Sequence, residues 1–79
     1  MISPENAANL VLKKTGYKKL CNVRDYDNNH YVVMATPDEN TFKNYQTLFG
    51  VDKNTGAITN FMLNSETIDT YQRSEIVYQ

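Results

Sequence analysis

The sequence has few of the residues that build covalent or metal-held frameworks. Its one cysteine, Cys21, closes no internal disulfide and supplies no structural zinc site by itself, so stability has to come from packing. His30 is the only histidine, and a nucleophile–base pair would have to join it to Cys21, Ser3, Ser65 or Ser74. Three glycines, Gly16, Gly50 and Gly56, are too scattered to form a phosphate-cradling loop, which disfavours nucleotide chemistry. No Asn-x-Ser/Thr acceptor triplet is present. No stretch approaches the roughly 20 consecutive apolar residues that a membrane-spanning helix needs, and no apolar run behind a basic leader opens the chain. With 79 residues there is room for one thin core and not for a two-domain enzyme.

Charge is present but unevenly spread. Residues 1–24 hold Lys13, Lys14, Lys18, Lys19 and Arg24 against Glu5 alone, whereas residues 25–79 hold three bases against eight acids. A solvated helix face accounts for such a lysine cluster; the functional alternative is an anionic partner at the N-terminal end, or head-to-tail association. Six tyrosines and three phenylalanines on a small sheet would suit base stacking. The acidic balance of the remainder and the lack of a ribonucleoprotein-type aromatic motif argue against nucleic acid.

An explicit helix start opens the chain. Ser3 suits the cap, Pro4 the first helical position where no amide hydrogen bond is lost, and Glu5 the positive end of the helix dipole. Ala7, Ala8, Val11 and Leu12 fall on one face, with Leu10 broadening it; Lys13 and Lys14 sit in the last turn and Gly16 ends it. About three turns are marginal alone, so this helix must be held by packing.

Beyond Gly16 the chain is rich in β-branched and aromatic residues broken by turn residues, the pattern of an antiparallel meander. The expected strands are Lys18 to Tyr26, His30 to Thr36, Phe42 to Val51 and Ala57 to Leu63, with turns at Asp27-Asn28-Asn29 and Asp52-Lys53-Asn54-Thr55-Gly56, and a polar loop at Asp38, Glu39 and Asn40 after Pro37. Asp52, Asn54 and Gly56 share the start of a calcium loop, but the glycine comes one residue early and no glutamate stands at the twelfth position, so a plain turn is the reading.

Period-two alternation gives the sheet two apolar faces. Tyr31, Val33 and Ala35 share one side with Tyr45, Phe49 and Val51; Val32, Met34 and Leu48, with Phe61 and Leu63, belong to the other. One short helix covers one face only. The second is then either covered by residues 64–79 or exposed as an apolar contact patch. Within that tail, Ser65, Glu66 and Asp69 suit a helix start, whereas Ile76, Val77 and Tyr78 suit a late strand; disorder is the third option. Cys21, near Lys18, Lys19 and Arg24 in sequence, reads as a small strand hydrophobe rather than a redox centre.

Three local motifs, in this order, resemble the PepSY-type (peptidase propeptide-like) family. They are Ile2-Ser3-Pro4-Glu5-Asn6-Ala7-Ala8, similar to its helix opening; His30-Tyr31-Val32-Val33, similar to its central strand; and Phe49-Gly50-Val51-Asp52-Lys53-Asn54-Thr55-Gly56-Ala57-Ile58, similar to its strand, aspartate, Thr-Gly turn and strand. The last is the most specific, because the turn needs Gly56 for a left-handed backbone angle and Asp52 to bond the turn amides. The resemblance covers about residues 2 to 62. It implies a helix on an antiparallel sheet, a role in binding or restraining peptidases, no catalytic residues, and a cell-envelope or secreted setting; the chain departs from the family in showing no export signal and in its tail.

These readings combine into an α+β fold: one N-terminal helix packed on a four-stranded antiparallel meander sheet, with residues 1–63 as the domain and 64–79 as a tail. The expected function is a non-catalytic protein- or peptide-binding module, without cofactor or metal. Val32, Met34, Leu48 and Phe61 are its expected partner-binding residues, and Asp52 and Gly56 form its structural turn. The alternative is a structural domain that self-associates as a homodimer through the same face. Neither nucleic acid nor membrane insertion is expected.

Overall fold

The computed structural model describes residues 1–37 and 47–79. The expected polar loop at 38–40, the start of the third strand at Phe42 and the face assignment of Tyr45 lie outside the described residues. The elements run α1 (Pro4–Thr15), β1 (Lys19–Asp25), β2 (His30–Thr36), β3 (Thr47–Asp52), β4 (Ile58–Asn60), α2 (Ile68–Arg73) and β5 (Glu75–Tyr78). The strands form one antiparallel sheet in the order β4-β3-β2-β1-β5.

Local chemistry sets the bounds of α1. The Ser3 hydroxyl accepts from the Asn6 N–H, Pro4 stands in the first turn, and Gly16 ends the helix in the left-handed region, its N–H donating to the Leu12 carbonyl. Ala7, Ala8 and Val11 are fully buried, so small side chains bring the helix backbone close to the sheet. Opposite them stand Val23 of β1, Tyr31 and Val33 of β2, and Phe49 and Val51 of β3, which complete the main core. Tyr17, just beyond the helix, meets Phe49 edge to face at 5.8 Å. Leu10 faces solvent more than its apolar character suggests, and Leu12 is half-buried.

The β2–β3 register, Tyr31↔Val51 and Val33↔Phe49, puts these core residues on the helix side, and alternation then sends Val32, Met34 and Leu48 to the outer side. Among the described residues the sheet has five strands rather than the four expected. After the meander, the free edge of β1 is taken by β5, with Val23↔Tyr78 and Arg24↔Ile76 in register, and Tyr78 packs against the core. β4 is also shorter than the expected Ala57 to Leu63. The Phe61 N–H still donates to the Leu48 carbonyl, but the chain then turns away, held by Asn64, whose Oδ1 accepts from the Glu66 and Thr67 N–H groups. Because β4 and β5 lie at opposite edges, their connection must cross the sheet, and it does so on the face that α1 leaves open.

Among the described residues no helix is long and apolar enough to cross a membrane.

Candidate functional site

The outer face is built from alternate residues of three strands: Asn22 and Arg24 of β1, His30, Val32 and Met34 of β2, and Leu48, Gly50 and Asp52 of β3. The crossing connection lies over its middle. Tyr71 of α2, only 7% exposed, has its ring over the Arg24 guanidinium at 4.7 Å, and Arg24 Nη1 donates to the carbonyls of Ser74 (2.8 Å) and Tyr71 (3.2 Å). Such a stack covers a charged residue without removing all of its hydrogen bonds. Phe61 reaches Tyr71 at 6.0 Å and meets Tyr26 edge to face at 5.0 Å, making an aromatic bridge above the sheet.

This bridge changes the status of the expected contact residues. Val32, the cross-strand partner of Arg24, is 1% exposed and is a buried residue of the structure rather than a surface one. Met34 and Leu48, paired across β2 and β3, are half-buried, as is Phe61 within the bridge. The outer face is therefore split: Asn22, Met34 and Leu48 lie toward the β2 C-terminal end, His30 and Asp52 toward the β1–β2 hairpin, and Gly50 shares the middle rank with Arg24 and Val32. Asn22 Oδ1, Arg24 Nε and the Tyr71 hydroxyl are buried and have no hydrogen-bond partner among the described residues.

His30 Nδ1 lies 3.2 Å from Asp27 Oδ1, both side chains about half exposed. Ser3 caps α1, the Ser74 hydroxyl donates to the Tyr71 carbonyl, and Ser65 is exposed in the turn before α2. Cys21 is half-buried at a bulge between Leu20 and Asn22, toward the other end of β1 from the hairpin. No group of three or more His, Cys, Asp or Glu side chains converges on a metal-sized site among the described residues.

The Asp52–Gly56 turn is compact. Asp52 Oδ1 accepts from the N–H groups of Asn54 (2.8 Å) and Thr55 (2.9 Å), and Gly56 sits at φ 78° with its N–H on the Asp52 carbonyl. The Thr55 amide, then the Asn54 amide, hold the Asp52 carboxyl below its ordinary pKa. The carboxylate is thus used inside the turn, as an Asx-type bond rather than the first ligand of a calcium loop.

In sequence, Lys53 reads as an ordinary turn residue. Its side chain instead folds inward: the residue is 6% exposed, its ammonium pairs with Asp25 and lies 5.0 Å from the centre of the Tyr31 ring. Its backbone N–H donates to Asn29 and its carbonyl accepts from Ile2. No local pattern marks a lysine for burial; the signal exists only once Asp25 and Tyr31 are brought beside it. The stack of Tyr71 on Arg24 is likewise invisible in sequence, although alternation alone places Arg24 on the outer face.

No known protein family, curated protein or solved structure matches the chain.

Proposed function

We propose that the chain is a non-catalytic protein- or peptide-binding module of PepSY type, whose contact surface is the Asn22, Met34 and Leu48 sector of the outer face. The observation that carries this reading is the company these residues keep. Two half-buried apolar side chains, paired across β2 and β3, adjoin Asn22 in the rank next to the one that Tyr71 covers. A partner that covers these side chains gains roughly 25 cal/mol per Å² of apolar surface removed from water. Among the described residues the inner face is filled by α1. The Ser3 and Ser74 hydroxyls are engaged with backbone groups and Cys21 lies toward the other end of β1, which favours binding over nucleophilic catalysis. The resemblance to peptidase propeptides makes an extended segment of a peptidase, or of its substrate, the natural partner.

The test is a random-peptide display selection against the folded domain, with Met34→Lys as counter-screen. Met34 is half-buried, so a lysine stem can lie along the same surface with its ammonium in water and the fold survives. Enrichment of peptides that bind the wild type and not Met34→Lys supports the reading. Peptides that bind both equally, or a domain that sediments as a dimer broken by Met34→Lys, overturn it, the second in favour of self-association.

A further inference from the structure

At the hairpin end of the outer face, on the other side of the aromatic bridge, Tyr26, Asp27, His30, Gly50, Thr59 and Phe61 line a cleft of about 270 Å³. Its depth depends on a missing side chain. A Cβ at Gly50 would stand 3.2 Å from Thr59 Oγ1, so any other residue on this part of β3 would crowd the space between β3 and β4. One wall is aromatic, with Tyr26 and Phe61 fixed edge to face by their own contact at 5.0 Å. The mouth carries Asp27 and His30, with Asp52 opposite His30 in the β2–β3 register.

Asp27 is the one carboxylate that lines this cleft, His30 touches it, and the neighbouring lysine and arginine are engaged elsewhere. Lys53 is turned to the inner side and paired with Asp25, and Arg24 is held beneath Tyr71 by two carbonyls. Asp27 Oδ1 accepts from the Asn29 N–H and contacts His30, and a carboxylate retains further acceptor sites after two such contacts. The volume is below that of an ordinary small-molecule site and suits a single side chain.

We propose that this cleft receives an arginine side chain of the bound peptide, with the guanidinium against the Tyr26–Phe61 wall and directed at the Asp27 carboxylate. A flat, weakly hydrated cation suits an aromatic face, and its forked donors suit a carboxylate. The proposal rests on the reading of the domain as a peptide-binding module and adds a specificity pocket to it.

The experiment titrates Nα-acetyl-arginine N-methylamide, and its neutral isostere Nα-acetyl-citrulline N-methylamide, into labelled protein and follows backbone amide shifts. The arginine probe is expected to saturate in the millimolar range, moving Gly50, Thr59 and Phe61, with the citrulline probe at least roughly fivefold weaker. Gly50→Ala should abolish the shifts by filling the cleft. Asp27→Asn, an exposed change that leaves β3 untouched, should weaken the arginine probe to the level of citrulline. Equal binding of the two probes, an unaltered response in Asp27→Asn, or no saturable shift at the cleft residues would each overturn the pocket. These small probes do not require the Met34 and Leu48 sector. Display-selected peptides that depend on Met34 but are indifferent to arginine would therefore leave the binding-module reading standing while removing the pocket.

Discussion

Single residues carry much of the geometry at the Asp52–Gly56 turn, and two of them make separable predictions. Gly56 holds φ 78°, and a Cβ there would also meet Leu10 Cδ1 at 3.2 Å, so Gly56→Val combines backbone strain with a contact on α1. A β-branched residue at positive φ costs on the order of 1 kcal/mol or more, and the melting temperature should fall measurably. Gly16→Ala, at φ 75° with open space around it, isolates the backbone part and should cost less. Asp52 acts through charge. Its folded pKa lies below its unfolded value, so its contribution to stability is present above the ordinary carboxylate range and is lost as pH falls through the lowered folded value. Denaturant unfolding of wild type and Asp52→Asn should therefore differ most near neutral pH and converge in acid; a gap that widens on acidification would contradict this assignment. Both residues were legible in the sequence, because a turn that needs positive φ and local amide bonding has few chemical solutions.

At the scale of elements, α1 and the meander were also legible, since caps, alternation and turn residues are local signals. Ser3, Pro4 and Gly16 delimit the helix within one residue of their expected roles, and His30–Thr36 is the strand that alternation describes. The tail was not legible. Ile68–Arg73 and Glu75–Tyr78 have weak propensities that conflict, and what decides between them is the free edge of β1 and the Arg24 side chain, both remote in sequence. The same holds for Lys53, which ties the β3–β4 turn to the end of β1 and to the segment before α1. Lys53→Ala removes a buried stem and leaves Asp25 and the Tyr31 face without their cation, and should cost about 2–3 kcal/mol. Lys53→Met keeps the buried volume, and because the half-exposed Asp25 carboxylate is left to water, it should cost about 1 kcal/mol or less. Thermal unfolding of the two variants checks this: equal losses would mean that the charge rather than the packing is what the site requires.

For the whole molecule, the decisive feature is that one helix and one crossing connection divide the two faces of a five-stranded sheet between them. The inner face is closed by α1 and forms the core. Among the described residues the outer face is closed along its middle, where Val32, Arg24 and Tyr71 meet, with the Asn22, Met34 and Leu48 sector at one end and an aromatic-walled cleft that carries the Asp27 carboxylate at the other. The sequence pointed to the outer face as the place where a second layer or a partner was needed. It did not show that the chain supplies part of that layer itself, because the bridge depends on Phe61, Tyr71 and Arg24 meeting from three separate elements.

The most direct measurement of the outer face as a contact surface maps a display-selected peptide onto the labelled domain by backbone amide shift perturbation, in wild type and in Met34→Lys. The largest saturable shifts are predicted to fall at Asn22, Met34 and Leu48, and Met34→Lys, with the dispersed spectrum of a folded domain, should lose them; if that variant unfolds, Met34→Gln serves in its place. Shifts centred on the exposed side of α1, or a folded Met34 variant that binds the peptide as tightly as the wild type, would contradict the assignment.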